Sequence, residues 1–298
     1  MWFSTAMMMK TYSQVIINTW VTKQPAISSF FSGSAQTVNW IIYNIWWEIN
    51  PWTLIWLNEI QWYNPLTNTW FKAIWNWVRA EHATALYWTD IYVISWWVYP
   101  TPVTLVEKFS PLSNTWVTKT PIPVWSRNWS ASVVNWKIYY MWWYNGWYLI
   151  NNYEYDINND TWLLKANMPR WREYHSTVVY NNQIYVIWWY AWADNFLEID
   201  RYTPSTDTWE NNIITIPQPP LPWSYRWIIL WNKIYIFNLV SGWSKIYIYD
   251  LINNSWEIVE WSSNIRGGYN IATYNNKIYL MWWVWWWVEI NLNEEYTP

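Results

Sequence analysis

Glycine is nearly absent from this chain: its 298 residues include five, where an average usage of about 7% would give roughly 21. Cysteine is absent altogether, which excludes disulfides and thiolate metal sites but assigns no compartment. Two histidines, His82 and His175, leave little material for a histidine metal centre. A net charge of −3 gives no electrostatic basis for binding nucleic acid or an anionic membrane.

Long hydrophobic runs are also missing. The longest apolar stretch, YLMWWVWWWV, has ten residues, which is too few to span a bilayer. The first residues lack the basic start and apolar core of a secretory signal. We therefore expect a soluble protein with no membrane span. Its compartment stays open: cytoplasmic by default, and periplasmic or extracellular if the N-terminus is truncated.

Tryptophan, in contrast, is present 38 times, and six of these residues mark a repeat. They follow Asn or Asp and then Thr or Ser, at spacings of 46 to 50 residues: Trp20, Trp70, Trp116, Trp162, Trp209 and Trp256. An aromatic residue stands seven positions before five of them: Tyr63, Phe109, Tyr155, Tyr202 and Tyr249. A second marker is an Ile-Tyr strand after a short polar turn, with its tyrosine at Tyr43, Tyr92, Tyr139, Tyr185, Tyr235 and Tyr279.

Four strands in about 47 residues are typical of one propeller blade, and helical periodicity is absent. The markers predict an all-β, six-bladed β-propeller in which the N-terminal strand, around Trp20, completes the last blade. A fragment of a longer propeller is the alternative. We expect residues 1–14 to form an N-terminal extension and residues 15–298 to form a single propeller domain. The predicted blades are approximately 24–72, 73–118, 119–164, 165–211, 212–258, and 259–298 plus 15–23.

This pattern resembles the kelch family, whose repeat carries a Gly-Gly pair followed by a spaced Tyr and Trp. The resemblance covers roughly residues 15 to 298. Where the Gly-Gly pair belongs, this chain has Trp-Trp, and the fifth repeat departs further with Asn238-Leu239. The Trp-Trp pairs are Trp46-Trp47, Trp96-Trp97, Trp142-Trp143, Trp188-Trp189 and Trp282-Trp283. The resemblance implies that the pair follows the second strand, where the blade bends.

We interpret many of the surplus tryptophans as glycines. Asn39-Trp40 and Asn135-Trp136 stand in predicted hairpin turns, where Asn-Gly is the favoured dipeptide. UGA is read as Trp in some bacterial genetic codes and as Gly in others, so a wrong translation table would produce this pattern. Deliberate substitution or a natural Trp-rich surface are the alternatives. The six tryptophans of the repeat motif are expected to be real.

Arginine recurs at the predicted start of the innermost strand. Arg79, Arg172 and Arg266 lie thirteen residues before the Ile-Tyr tyrosine, Arg127 twelve before and Arg226 nine before. The kelch resemblance places these residues near the channel mouth, where several kelch adaptors hold acidic peptide side chains. A ring of guanidinium groups would attract anions and donate paired hydrogen bonds to carboxylates. The alternative is that these arginines tie neighbouring loops together.

No catalytic constellation is recognisable. His82 and His175 share one register, which favours packing over catalysis, and Glu154-Asp156 and Glu294-Glu295 lack the spacing of a metal site. We therefore expect a monomeric, non-enzymatic binding module that presents its loops to a protein or glycan partner, without cofactor or metal. The alternative is a carbohydrate-active enzyme, such as a kelch-type sialic acid mutarotase or epimerase, so whether the chain is an enzyme stays open.

Overall fold

The structure, a computed structural model, describes most of the chain between Asn18 and Pro298. The described residues are 18–27, 31–49, 56–57, 59–74, 82–98, 101–124, 130–141, 149–170, 175–187, 198–217, 225–238, 245–260, 269–282 and 292–298. Four of the five predicted arginines (Arg79, Arg127, Arg172 and Arg266) lie outside these ranges, as do Trp142-Trp143, Trp188-Trp189 and Trp283.

Regular structure in the described residues is entirely β. The strands, in chain order, are β1 (Thr19–Lys23), β2 (Phe31–Val38), β3 (Ile41–Ile49), β4 (Trp56–Leu57), β5 (Glu59–Asn64), β6 (Thr69–Ile74), β7 (Ala83–Tyr87), β8 (Asp90–Val98), β9 (Thr101–Ser110), β10 (Thr115–Lys119), β11 (Ser130–Val134), β12 (Lys137–Met141), β13 (Asn152–Asp156), β14 (Thr161–Leu164), β15 (Ser176–Tyr180), β16 (Gln183–Ile187), β17 (Glu198–Thr203), β18 (Thr208–Thr215), β19 (Tyr225–Leu230), β20 (Lys233–Asn238), β21 (Lys245–Asp250), β22 (Ser255–Glu260), β23 (Tyr269–Tyr274), β24 (Lys277–Trp282) and β25 (Asn293–Thr297).

These strands form six antiparallel sheets. From inside to outside, their orders are β2-β3-β5-β6, β7-β8-β9-β10, β11-β12-β13-β14, β15-β16-β17-β18, β19-β20-β21-β22 and β23-β24-β25-β1, with the short β4 paired to β3. The innermost strand of each sheet lies beside the innermost strand of the next, and β23 lies beside β2. The molecule is therefore a six-bladed β-propeller, as the repeat predicts.

The N-terminal strand closes the ring. β1 pairs with β25, placing Trp20 opposite Tyr296 and Lys23 opposite Asn293. Blade six therefore combines strands from the two ends of the described chain, and the prediction of a last blade completed by the N-terminal strand is confirmed. Pairing of this kind leaves no unpaired third strand in blade six that could invite edge-to-edge association.

The hydrophobic core is divided among the blade interfaces. Among the described residues, one buried cluster lies between each pair of neighbouring blades. A second strand such as β12 (KIYYM) is buried on both faces, because a blade packs against each side of it. The outer strands β1 and β10 instead combine exposed and partly buried residues. These two patterns explain why the Ile-Tyr strands are almost continuously apolar while the Thr/Ser-Trp strands mix polar and apolar residues.

The Trp-Trp pairs of blades one and two correct one expectation. Trp46-Trp47 lies within β3 and Trp96-Trp97 within β8, so neither pair follows the end of its strand. The bend falls just before the second pair, where the register of β8 against β9 shifts between Ile94 and Trp96. Ser95, with φ of 52°, occupies this bulge and donates its hydroxyl to the Val103 carbonyl over 3.0 Å. A bulge supplies the bend while the strand continues.

Candidate functional site

The two ends of the ring differ in their connections. One end, called here the turn end, carries the two-residue turns between first and second strands, at 39–40, 88–89, 135–136, 181–182, 231–232 and 275–276. The turns between third and fourth strands lie at the same end, because neighbouring strands are antiparallel. The opposite end is called the loop end, and there second strands connect to third strands and each blade connects to the next.

Arg226 is the predicted ligand-binding residue that the structure describes. It is the second residue of β19, pairs with Phe237 of β20 and is partly buried. It therefore lies at the loop end, at the start of the innermost strand of blade five. Whether Arg79, Arg127, Arg172 and Arg266 lie beside it remains a prediction, since they are outside the described ranges.

The two histidines tie neighbouring blades together. His82 precedes β7, and its Nε2 lies 3.1 Å from the carbonyl oxygen of Ile45 in blade one. His175 precedes β15, and its Nε2 lies 3.1 Å from the carbonyl oxygen of Met141 in blade three. Both side chains are buried. This matched geometry agrees with a packing role in both repeats.

The repeat tryptophans form an outer belt. Each is paired across the third and fourth strands with the aromatic residue that precedes it by seven positions, or with Tyr296 in the closing blade. Ring centroids are 4.5 to 5.0 Å apart in the pairs Tyr63–Trp70, Phe109–Trp116, Tyr155–Trp162, Tyr202–Trp209, Tyr249–Trp256 and Tyr296–Trp20. Such contacts stabilise beyond the area they bury.

In blade four, the belt also clamps the blade to the segment before it. Asp207, in the turn before β18, accepts hydrogen bonds from the Tyr202 hydroxyl at 2.6 Å and from the Ala166 backbone N–H at 2.8 Å. The Trp209 indole N–H donates to the carbonyl of the same Ala166 over 2.9 Å. One linker residue is therefore held through both of its backbone polar groups.

The same clamp recurs in other blades. Asn68 and Trp70 hold Gln24 in this way, at 2.9 and 2.8 Å. Asp160 and Trp162 hold Thr120, both at 2.9 Å. At the ring closure, the Tyr296 hydroxyl donates to Asn18 over 2.7 Å, as Tyr63 does to Asn68.

Ionisation of the clamp carboxylates is coupled to the folded state. Burial by itself raises the pKa of Asp207, but hydrogen bonds from Tyr202 and the Ala166 N–H and the nearby Lys165 lower it overall. The pKa of Asp160 is likewise lowered, because the Tyr155 hydroxyl, the Thr120 N–H and Lys119 outweigh burial. Hydrogen bonds to the charged form favour it. These groups act as fixed anions in the fold.

Three residues of the acidic pairs noted in the sequence, Glu154, Asp156 and Glu295, form ion pairs. Glu295 accepts from Tyr279 at 2.7 Å and lies 2.5 Å from Lys277 and 2.9 Å from Lys23. Burial raises the pKa of Glu295, but Lys277, Tyr279 and Lys23 together lower it. Lys23 belongs to β1, so this cluster also reinforces the closure.

Blade three repeats this arrangement. Glu154 accepts from Tyr139 at 2.8 Å and pairs with Lys137 at 3.1 Å and Lys165 at 3.8 Å. Lys137 also bonds Asp156 over 2.9 Å, which lowers the pKa of that carboxyl. Glu154 and Glu295 each lie opposite a tyrosine of the second strand, Tyr139 and Tyr279 respectively. This shared position indicates a structural role for both glutamates.

A cluster at the loop end of blade four was not predicted. Arg170, in the segment leading to blade four, donates to Glu198 over 3.1 Å and to Asn212, and it lies 3.7 Å from Asp200. Asp200 is fully buried and accepts from the Asn212 backbone N–H at 2.7 Å. Arg170 is outside the register of the other arginines, and its partners are 28 to 42 residues away in sequence. No local motif could have identified them together.

The turn end contains an open cleft of about 570 Å³. It lies among the turns of blades one, five and six and is lined by Thr37, Asn39, Trp40, Leu230, Thr273, Tyr274, Asn275 and Asn276. None of these side chains is charged. The cleft therefore supplies amide and hydroxyl groups beside two aromatic rings, those of Trp40 and Tyr274.

Within the described ranges, no group of three or more His, Cys, Asp or Glu side chains is placed to hold a metal ion. The described segments also include no helix of the length and apolarity needed to cross a bilayer. No protein-family model matches this chain, and no curated protein matches it significantly.

Proposed function

We propose that this chain is a non-enzymatic binding module of the kelch type, in which a rigid propeller presents its loop end to a protein or glycan partner with an acidic group. The observation that carries the proposal is the position of Arg226 at the loop-end start of an innermost strand. Arg79, Arg127, Arg172 and Arg266, which stand twelve or thirteen residues before the Ile-Tyr tyrosine where Arg226 stands nine before, are proposed to lie at the same end of their blades.

Four described carboxylates are occupied by contacts within the ring, which supports a structural role for them over catalysis. Asp160, Asp207, Glu154 and Glu295 are held by lysines, tyrosines or backbone N–H groups of the ring itself. A general acid or base must instead reach a substrate with a pKa near the working pH. Lowered pKa values at Asp160, Asp207 and Glu295 are unsuited to that task.

Binding of a fluorescein-labelled oligoglutamate peptide, followed by fluorescence anisotropy, tests the proposal. Alanine at each of the five predicted arginines should weaken binding by roughly fivefold or more, because each loses a charge-assisted contact. Added salt should weaken it as well. Arg201→Ala is the matched control, since the Arg201 guanidinium already binds Glu210 at 2.7 Å between the two outer strands of blade four.

Two outcomes would contradict the proposal. One is equal weakening by Arg201→Ala and by the five loop-end variants, which would indicate nonspecific attraction. The other is acceleration of sialic acid anomer exchange by the unmodified chain, observed by NMR. That result would replace the binding module with the sugar enzyme, whose site would need an arginine for the sugar carboxylate and a positioned acid or base.

A further inference from the structure

We infer that the natural polypeptide carries glycine at positions 40, 88, 136 and 231, and tryptophan at the six belt positions. The distinction between tryptophans that are present in the natural protein and those that stand for glycine rests on backbone geometry at the turn end. It is independent of the proposed ligand.

The first observation is the set of residues with positive φ. Among the described residues other than glycine, positive φ occurs at asparagines, aspartates, Ser95 and four tryptophans. The tryptophans are Trp40 (φ 71°), Trp88 (57°), Trp136 (68°) and Trp231 (58°). Asn and Asp tolerate this region because their short polar side chains bond locally, whereas a bulky side chain there is a genuine outlier.

The second observation is where these tryptophans stand in their turns. Asn39-Trp40 and Asn135-Trp136 have positive φ at both central residues, as a type I′ turn requires, and Asn-Gly is the preferred pair there. In Trp88-Thr89 and Trp231-Asn232 only the first residue has positive φ, which is the glycine position of a type II′ turn. Each tryptophan therefore occupies the place that its own turn type reserves for glycine.

The remaining two turns of the ring supply the internal comparison. Asn181-Asn182 and Asn275-Asn276 have positive φ at both residues without tryptophan. The backbone requirement is thus common to all six blades, and asparagine meets it where glycine is not used.

The third observation is how little the turn indoles contact. Their exposed fractions are 65% for Trp40, 76% for Trp88, 56% for Trp136 and 58% for Trp231, so packing does not compensate for the backbone strain. Trp88 and Trp136 contact only each other and the partly buried Tyr87 among the ring contacts described, with ring centroids 6.3 to 6.4 Å apart. Trp231 donates to Asn276 over 3.1 Å on an exposed surface where water offers the same bond. The belt indoles Trp70, Trp162 and Trp209 instead each contact the ring of a buried tyrosine on the third strand. Each also donates its N–H to a backbone carbonyl of the preceding linker.

A codon difference would produce this partition. Where UGA specifies glycine, a translation with UGA read as tryptophan writes Trp at those glycines and leaves true UGG tryptophans unchanged. Glycine at position 40 would also remove one wall of the turn-end cleft. The aromatic character of that end would then largely disappear.

Peptide mass spectrometry of the protein isolated from its source organism tests the inference, together with the codons of its gene. We expect peptides that span positions 40, 88, 136 and 231 to be lighter by the difference between an indolylmethyl group and a hydrogen at each turn. Peptides with Trp70, Trp162 and Trp209 from the same digest are the matched control and should keep the mass of tryptophan. UGA codons at the turns with UGG in the belt agree with the inference. Tryptophan mass at any of the four turns overturns it for that turn, and glycine mass at the belt positions overturns the partition.

Discussion

The outer belt and the inner turns of this propeller both carry recurrent tryptophans, and the two regions use them in opposite ways. In the belt, an indole lies across from an aromatic ring on an extended strand and donates its N–H to the preceding linker. In the turns, the indole is mostly exposed on a backbone with positive φ. Whether tryptophan suits a position therefore depends on the φ that it must adopt there and on the partners that its polar atoms reach.

Replacing a belt tryptophan should have the largest effect. Trp209→Gly removes the ring contact with Tyr202 and the hydrogen bond to Ala166, so we expect a loss of about 3 kcal/mol in the free energy of unfolding. Denaturant unfolding monitored by far-UV circular dichroism measures it. The matched control is Trp136→Gly, the same substitution in a turn. A comparable loss in both variants would contradict the distinction between the regions.

Acidification should weaken the clamps of the outer belt, which contain carboxylates, and leave the inner turns that carry Trp40, Trp88, Trp136 and Trp231 unaffected. The pKa values of Asp160, Asp207 and Glu295 are lowered in the folded protein, so these groups contribute stability above their unfolded pKa. That contribution is lost as the pH falls from about 4, near the pKa of the unfolded carboxyls, through the lower pKa values of the folded protein.

The denaturation midpoint measured from pH 7 down to pH 2 should therefore fall less in the double variant Asp160→Asn, Asp207→Asn. Asparagine already fills the equivalent clamp position at Asn68, where it accepts the same two kinds of hydrogen bond. An unchanged pH profile in the double variant would show that these carboxylates do not control acid stability.

Substitutions at a turn tryptophan should change the free energy of unfolding least, and they should raise it rather than lower it. Trp136→Gly relieves the positive φ, and after the entropy that glycine adds to the unfolded state we expect a gain of about 0.5–1 kcal/mol. Trp136→Asn should also stabilise, since Asn182 and Asn276 occupy that turn position in other blades. Trp136→Ala keeps a Cβ and should bring little gain. Thermal melts of the three variants distinguish relief of φ from removal of the indole, and an equal gain from alanine would favour the latter.

Much of the architecture was predictable because its signals are local and repeated. The Ile-Tyr strands and the Thr/Ser-Trp strands indicated the number of blades, and Trp20 before the first Ile-Tyr strand indicated the closure with β25. The position of the Trp-Trp pairs was less predictable. They were expected beyond the second strand, but β3 and β8 extend through them. In β8 the bulge at Ser95 turns the strand without ending it.

A recurrent arginine was the sequence signal for the candidate site, and its ligand-binding role stays a prediction. Arg226 has the expected place at the start of β19, whereas the Arg170 cluster lay outside any repeat pattern. Its carboxylate partners, Glu198 and Asp200, come from a strand that is distant in sequence, and Asp200 owes its burial to the packing of whole blades.

The repeat, the blade count and the belt follow from the amino-acid sequence, because each depends on residues within one period of about 47 positions. Which carboxylates are held by lysines and tyrosines of the ring depends on contacts between segments that the fold brings together. The pairing of strands in space also sets which tryptophans stand on a left-handed backbone. Turn type is set by the twist of the paired strands, and ion pairing by the distance between segments that the ring brings together.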